Sequence, residues 1–369
     1  MSELLQPSPT LEDVARAAGL SRSTVSRVLN GSRDFDPAVR EAVRRAVAAT
    51  GYVPSVAGRS LAGRRTGMVA LVLSGAGDTP VYDTSANDTA VGDRATDAYG
   101  AEDDGSRRRA VFSDPFFGRV ADGVTSFLRR QGAHPILMSA ETAEDHQYVL
   151  AYLRRGNADG ALLVSTHADD PLPALIPGTG LHAVMYARPA RPLPLSYVDV
   201  AHREGAALAA EHLLARGCRR VATICGPLDV PASRDRLAGF QEAMARRGHP
   251  YVPFVAGNFT LDSGEAAARR LLAEFPDVDG IFAANDLMAQ GALLTLRDQG
   301  RRVPDDVAVV GFDDSSAALA CRPMLTTVRQ PVEEMAAEMT RMLLDRIRTP
   351  ELPIAARIFD PVLVVRQSA

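Results

Sequence analysis

The sequence predicts a small all-α N-terminal domain followed by a much larger α/β domain, and three observations lead to this fold class. Two short helical patterns joined by a tight turn, with a third behind them, fill the first fifty residues. From Met68 onward, short apolar runs alternate with amphipathic stretches of helical period. The chain of 369 residues is 46% hydrophobic, which is enough to bury large cores in two or three domains.

The first helix is predicted to begin after Thr10, a good N-cap that forms a capping-box-like pair with Asp13. Val14 and Ala15 belong to its apolar stripe, and Gly19 supplies its stop.

The second helix is predicted to carry one apolar and one polar face, with Ser21 as its N-cap. Val25, Val28 and Leu29 share the apolar face. The opposite face carries hydroxyl, amide and guanidinium groups, from Ser23, Ser26, Arg27 and Asn30. Such a face suits the DNA major groove, where arginine on guanine is the commonest specific contact.

A third helix is predicted from Pro37, with Asp36 as N-cap and Gly51 at its end. Its valines at helical spacing close a small core with the first two helices. An alternative interpretation is three solvated helices that form a capping subdomain. The agreement of starts, turn, stops and faces favours a helix-turn-helix.

The segment 55–65 is a poor isolated helix, because each of its two glycines costs about 1 kcal/mol relative to alanine. It carries Arg59 and Leu61. An apolar side chain such as Leu61 can wedge between base steps in the minor groove and kink DNA. The alternative for Leu61 is a linker residue that docks on the core.

The larger domain is predicted to be a parallel sheet covered by helices on both faces. The strand-like runs are 69–73, 160–164, 183–186, 221–225, 280–283 and 307–311. The helical stretches between them include 203–216, 238–247, 264–275 and 287–299. Since ligands in open α/β sheets bind at the carboxyl ends of the strands, polar residues just after strands are the binding candidates. Arg236, Asn285 and Asp313 satisfy this condition.

Charge is unevenly distributed along the chain, although its net value is only −4. Residues 1–66 carry ten arginines against six acidic residues, a local charge of +4, which suits phosphate binding. Residues 75–109 carry eight acidic residues against four arginines and show no hydrophobic periodicity. We expect a flexible insertion there, or else a lid over a ligand cleft or an acidic arm that discourages nonspecific DNA contact.

Several functional classes are disfavoured by composition. The three cysteines have no metal-ligand spacing, and their odd number fits a reducing cytosol. We expect no signal peptide, membrane span, metal or cofactor. No triad, phosphate loop or metal motif indicates an enzyme.

The N-terminal motifs resemble the DNA-binding domain of the LacI/GalR transcriptional repressors. The resemblance rests on TLEDVA at 10–15, STVSRVLN at 23–30 and GYVP at 51–54. It implies that Arg22 and Ser23 distinguish operators and that Arg27 contacts a base. The DNA-contacting set that it implies is Ser21, Arg22, Ser23, Thr24, Ser26, Arg27, Asn30, Arg59 and Leu61.

The rest of the chain resembles the effector domain of the same family, which has two Rossmann-like lobes of the type I periplasmic-binding-protein kind. The resemblance implies seven effector-binding residues: Phe116, Phe117, Arg188, Arg236, Phe259, Asn285 and Asp313. Carboxylate, guanidinium, amide and phenyl groups suit vicinal hydroxyls and the apolar face of a sugar. Val230 and Ala232 stand where the family's purine-binding branch has arginine and threonine, which favours a sugar or polyol.

These observations predict a helix-turn-helix domain at 1–53, a hinge helix at 54–66 and an effector-binding and dimerisation domain at 67–369. Lobe one is expected at about 67–200 plus 331–357, and lobe two at about 201–330 plus 358–369.

The predicted function is a cytoplasmic, ligand-responsive repressor of carbohydrate-utilisation genes. It would bind a pseudo-palindromic double-stranded DNA operator as a homodimer and respond to a sugar-like effector. The alternatives are a sugar-binding protein with no DNA role and an activator with a non-sugar effector.

Overall fold

The computed structural model describes residues 9–29, 35–52, 65–74 and 114–369. The chain divides into two units, Met1–Thr66 and Gly67–Ala369. Asn30, Arg59, Leu61, most of the predicted hinge and the whole predicted insertion at 75–109 lie outside the described residues.

The first unit contains the three predicted helices, α1 (Leu11–Ala18), α2 (Arg22–Leu29) and α3 (Pro37–Thr50). The capping box of Thr10 and Asp13 is confirmed, as are the left-handed C-caps Gly19 and Gly51. The apolar faces of the three helices meet in a core of Val14, Ala15, Val25, Val43 and Ala46.

The second unit alternates strands and helices from Met68 to its end. Its strands in chain order are β1 (Met68–Ser74), β2 (His134–Ala140), β3 (Gly160–Ser165), β4 (Ala183–Tyr186), β5 (Ser196–Val200), β6 (Val221–Cys225), β7 (Phe254–Ala256), β8 (Gly280–Ala283), β9 (Ala308–Asp313), β10 (Thr326–Arg329), β11 (Ala356–Phe359) and β12 (Val362–Val364).

The helices of this unit are α4 (Pro115–Arg130), α5 (Ala143–Arg154), α6 (Leu172–Leu175), α7 (His202–Ala215), α8 (Pro231–Arg246), α9 (Leu261–Glu274), α10 (Asp286–Asp298), α11 (Ser316–Ala320) and α12 (Val332–Arg348). A 3₁₀ turn at Ile176–Thr179 follows α6. In the described part of the chain, no helix is both long and apolar enough to span a membrane.

The strands form two six-stranded sheets, which define two lobes. Lobe one has the order β11-β5-β4-β3-β1-β2, and all its pairs are parallel. Lobe two has the order β12-β10-β9-β8-β6-β7 and is parallel except for the pair β10 and β12. Each sheet has an apolar core on both faces, as parallel sheets require. The predicted α/β fold of two Rossmann-like lobes is confirmed.

The chain crosses between the lobes three times: between β5 and α7, between β10 and α12, and between β11 and β12. Because β11 runs to Phe359, the last crossing lies a few residues beyond the predicted boundary at 357/358. Helix α8 also begins at Pro231, seven residues before the predicted stretch at 238. The apolar periodicity that located this helix is absent from its polar first two turns.

Helices α9 and α10 pack with their backbones unusually close, because a glycine stands on each side of the contact. A Cβ on Gly264 would lie 2.3 Å from the carbonyl oxygen of Met288. A Cβ on Gly291 would lie 2.3 Å from the carbonyl oxygen of Leu261. Side chains at these two positions would therefore push the helices apart.

We expect Gly264→Ala to lower the free energy of unfolding of the second unit by about 2 kcal/mol, since the added methyl group meets backbone that must shift. Gly118→Ala in α4 is the matched control, because a Cβ there meets no atom within 4 Å. That variant should gain about 0.5–1 kcal/mol from helix propensity. Urea denaturation followed by circular dichroism measures the free energy of unfolding of both variants. Equal changes in the two variants would refute the packing argument.

Candidate functional site

Helix α2 presents a hydroxyl- and arginine-rich surface to solvent. Ser21 caps the helix by accepting a hydrogen bond from the Thr24 amide at 3.1 Å, as predicted. Its hydroxyl also lies 2.8 Å from those of Ser23 and Thr24. Arg22 lies 3.6 Å from Glu12, an exposed ion pair worth little in water. Ser21, Arg22, Ser23 and Arg27 are exposed on this surface, where a ligand such as DNA can reach them.

A cleft of about 810 Å³ lies between the two lobes of the second unit, at the carboxyl ends of the strands. Its walls follow β3, β4 and β5 in lobe one and β6, β8 and β9 in lobe two. The structure brings all seven predicted effector-binding residues to this cleft: Phe116, Phe117, Arg188, Arg236, Phe259, Asn285 and Asp313.

Arg236 and Asp313 form a buried ion pair at the bottom of the cleft. Nη1 of Arg236 lies 3.5 Å from Oδ1 of Asp313 and donates to the carbonyl of Ala284. The guanidinium carbon lies 3.8 Å from the centroid of the Phe312 ring. Gln330 donates to the same Asp313 oxygen at 2.7 Å. Burial raises the pKa of Asp313, with the Arg236 charge opposing the shift, and burial lowers the pKa of Arg236.

His202 is a satisfied buried residue beside this pair. Its Nδ1 accepts a hydrogen bond from Nε of Arg236 at 3.2 Å. The ring proton must then be on Nε2, which lies 3.4 Å from the Asp199 carboxylate. Burial lowers the pKa of His202 and so favours this neutral form. His202 thus holds Arg236 in place.

Phe259 is held in a strained backbone conformation at the lobe-two wall. Its φ is +67°, which is uncommon for a bulky residue. The Asn285 amide donates to the Phe259 carbonyl at 2.9 Å, while its oxygen caps α10 by accepting from Met288 N. The ring covers Gly226, where a Cβ would lie 2.3 Å from it. Asn285 therefore shapes the wall as well as facing the cleft.

Backbone strain is concentrated around this cleft. Among the described residues, four that are not glycine have positive φ: Ala187, Phe259, Asp313 and Asp314. The first three line the cleft, and Asp314 directly follows Asp313. Such conformations cost about 1–3 kcal/mol each and cluster at ligand-binding sites. The geometry therefore marks the cleft as a binding site rather than a packing gap.

Two family descriptions match the chain: "Bacterial regulatory proteins, lacI family" over residues 10–55 and "Periplasmic binding protein-like domain" over residues 210–369. The regulator CelR of Thermobifida fusca is 41% identical to it, over 98% of each chain. The chain belongs to the lacI family of bacterial regulatory proteins. It is a ligand-responsive DNA-binding transcriptional regulator and not an enzyme.

Other relatives agree with this assignment. The ribose operon repressor of Halalkalibacterium halodurans is 30% identical over 97% of this chain and 96% of its own length. A structure of a CelR–cellobiose complex is 40% identical, has a TM-score of 0.71, and covers 98% of this chain and 100% of its own. A lac repressor dimer bound to operator, 23% identical with a TM-score of 0.80 and 98% and 99% coverage, shows the same fold.

Asp286 is the first residue of α10 in this LacI-family regulator. A helix beginning at Leu287, as the sequence predicts, would have Asp286 as its cap, but the N-cap is Asn285. The buried Asp286 carboxylate accepts from the Thr327 hydroxyl at 2.6 Å and from the Ser315 amide at 2.7 Å. It therefore joins the loops after β8 and β9 to β10. Burial raises its pKa to about 7.

Arg188 lines the regulator's cleft, but its guanidinium is engaged by Asp235 of lobe two. A second contact across the cleft joins His167 and Asp229 at 2.7 Å. Each contact joins a loop of lobe one to a residue of lobe two, so both contacts favour the arrangement in which the lobes lie close together across the cleft.

Three polar residues of the site were missed by the sequence analysis. Asp114 caps α4 through the Phe116 amide at 2.9 Å, and burial raises its pKa. Gln330 lies at a crossing between the lobes. Arg119 of lobe one donates to the carbonyl of Asp313 at 2.9 Å and pairs with Glu333 at 2.6 Å. The sequence analysis selected Phe116 and Phe117 from this segment but not Asp114, and nothing in the sequence relates Arg119 to a residue 194 positions away.

No group of three or more histidine, cysteine or acidic side chains that could hold a metal ion occurs in the described ranges.

We expect Asp313 to make the regulator less stable as the pH rises toward 8. Burial raises the pKa of Asp313 in the folded state above the ordinary aspartate value of 3.8, although the Arg236 charge opposes this shift. The unfolded state therefore releases its proton first as the pH rises, and the free energy of unfolding falls until the folded state has released its proton too. Asp313→Asn removes the titration and keeps an oxygen for Gln330.

The difference in unfolding free energy, native protein minus Asp313→Asn, should decrease as the pH rises above the ordinary aspartate pKa, by about 1.4 kcal/mol per pH unit while only the unfolded state is ionised. Parallel urea denaturations over a series of pH values from about 4 to about 7.5 measure it. A difference that does not change with pH would show that Asp313 is ionised throughout.

Proposed function

We propose that this chain is a repressor that binds a near-palindromic operator as a homodimer, and that a neutral sugar bound between the lobes changes its operator affinity. The observation that carries the effector part is the cleft itself, with Arg236, Asp313, Asn285 and Phe259 converging at one end. The polar surface of α2 and membership of the lacI family support the DNA-binding part of the proposal. Acting on DNA, the protein is expected to work in the bacterial cytoplasm.

The chemistry of the cleft favours a polyhydroxylated ligand. Nη2 of Arg236 and Oδ2 of Asp313 have no hydrogen-bond partner among the residues that the structure describes. Nη2 of Arg236 can donate to one hydroxyl group of a ligand, and Oδ2 of Asp313 can accept from a neighbouring hydroxyl group. Phe116, Phe117 and Phe259 supply apolar surface for the face of a sugar ring.

The charges of the cleft favour a neutral ligand over a phosphorylated one. The cation at the bottom, Arg236, already faces Asp313, and Arg188 is engaged by Asp235. Asp114 and Asp199 add further carboxyl groups to the walls. A bound phosphate group would lie near these carboxylates, while Arg236 and Arg188 already face carboxylates of the protein. Burying a phosphate beside like charges without a free cation costs free energy.

The size of the cleft favours more than one sugar ring. A volume of about 810 Å³ is near the upper end of the range of about 300–1,000 Å³ that drug-sized ligands occupy. A single hexose would leave much of it filled by water. The relative CelR, 41% identical, is described in complex with cellobiose. We therefore propose a glucose-based disaccharide such as cellobiose as the effector.

The proposed DNA contacts are the exposed donors of α2 and the residues named by the resemblance. Arg22 and Arg27 would read base edges, and Ser21, Ser23, Thr24 and Ser26 would contact phosphates or neighbouring base edges. Arg59, Leu61 and Asn30 belong to the same proposed set.

Footprinting on genomic fragments should reveal a near-palindromic operator, and Arg27→Ala should weaken its binding about 5- to 150-fold, since a bidentate base contact is worth about 1–3 kcal/mol. Arg40→Ala is the matched control, because Arg40 lies on α3 and outside the proposed contact set. Effector affinity should not change in either variant. Operator binding by Arg27→Ala at native strength would contradict the base contact.

Calorimetric titration of the full chain should show cellobiose binding in the micromolar range or tighter, with glucose and glucose 6-phosphate much weaker. Asn285→Asp should weaken cellobiose binding about tenfold, because it keeps the cap on Met288 N but loses the bond that holds Phe259. Asn157→Asp is the control, since its amide makes the same kind of bond to the Tyr152 carbonyl away from the cleft. No response to any neutral sugar would overturn the effector proposal.

A further inference from the structure

The DNA-reading surface contains a contact that the proposed function does not use. The guanidinium carbon of Arg27, on α2, lies 5.0 Å from the centroid of the Phe35 ring. Phe35 directly precedes Asp36, the N-cap of α3. Arg27 is exposed and Phe35 is half-buried, so the pair lies at the surface of the first unit.

The Phe35 ring does not belong to the apolar core of this unit. Within the described residues, that core is built from the inner faces of α1, α2 and α3, and Phe35 is not among its members. The Phe35 ring contacts the guanidinium group of Arg27. An aromatic ring placed beside a cation rather than in the core calls for an explanation other than burial.

The contact constrains Arg27 without consuming its hydrogen-bond donors. A cation over an aromatic face is attracted by the ring quadrupole, and this attraction needs no N–H group. Recognition of guanine uses the N–H edge of the guanidinium, so the two contacts are compatible. Arginine otherwise loses considerable rotamer freedom when it becomes fixed on a base.

The neighbouring Arg22 shows the opposite arrangement. Its Nη1 lies 3.6 Å from the Glu12 carboxylate, beyond hydrogen-bond distance, in an exposed ion pair. The partner of Arg22 is thus a carboxylate at the N–H edge of the guanidinium, where a base acceptor would also have to lie. Arg27 can instead bind while it remains over Phe35.

We propose that Phe35 is a positioning residue that preorganises Arg27 for base recognition. The proposal rests on the proposed role of Arg27 in operator reading. Phe35 need not touch DNA: it restricts the arginine to the side of α2 that faces α3 and so reduces the entropy lost on binding.

The test is a double-mutant cycle on the full-length protein, with operator affinity measured by fluorescence anisotropy. Phe35→Leu keeps an apolar side chain but removes the aromatic face, and it should weaken operator binding about two- to fivefold. Phe35→Tyr keeps the face and should bind within about twofold of the native protein. In the Arg27→Ala background, Phe35→Leu should cause no further loss.

The cycle separates positioning from a structural role, because a folding defect would weaken binding in both backgrounds. Equal loss in the two backgrounds would overturn the proposal for Phe35 while leaving operator reading by Arg27 intact. A native affinity for Arg27→Ala would instead refute the base contact and the inference with it. A second measurement compares binding to operators that differ at single base pairs. Arg27→Ala should no longer discriminate between bases at one of these pairs. Phe35→Leu should lose discrimination at that same pair alone.

Discussion

The buried pair of Arg236 and Asp313 is the interaction on which the sensor unit depends. A guanidinium taken out of water is stable only where carboxylate, carbonyl and aromatic partners replace its hydration. Here Asp313, the Ala284 carbonyl, His202 and the Phe312 ring supply these partners. Asp313 and Phe312 end β9, Ala284 follows β8 and His202 begins α7, so these contacts fix the positions of the three elements relative to α8, which carries Arg236.

The same pair is connected to lobe one and to the crossings. Gln330 bonds to the Asp313 carboxylate from the second crossing, and Arg119 bonds to the Asp313 carbonyl from α4. Asp313 has a φ of +106°, which is strained unless its surroundings hold it. A ligand that draws on the Asp313 carboxylate therefore acts on a residue that both lobes restrain. This arrangement gives ligand binding a direct physical effect on lobe geometry.

The sequence predicted elements best where the chain signals them locally. The caps Thr10, Ser21 and Asp36 located the helices of the first unit, and the strands at 183–186, 221–225 and 280–283 have the predicted bounds. The strands with continuous apolar runs were found. The four edge strands β2, β7, β11 and β12 were missed, because they are partly exposed and their pattern is weak. The inner strand β10 was also missed, because Thr326 and Thr327 interrupt its apolar pattern.

The candidate site was predictable only in part, for a similar reason. Residues that directly follow a strand, such as Asn285 and Asp313, can be found from strand ends and from the family resemblance. The second role of Asn285, holding the Phe259 carbonyl, depends on a strained backbone that no local pattern announces. The partners of Arg188 and Arg119 lie across the lobe boundary and depend on tertiary structure alone.

The two contacts of the α2 arginines differ in what DNA must displace. Glu12 places a carboxylate beside Arg22, and a phosphate or base acceptor has to compete with it. The pair is exposed and long, so this competition costs little. The Phe35 ring lies against the face of the Arg27 guanidinium and not at its N–H edge, so in the proposed operator contact this arginine would keep its ring contact while it donates. The proposed reading surface would thus combine an arginine that exchanges a weak partner with an arginine that keeps its partner.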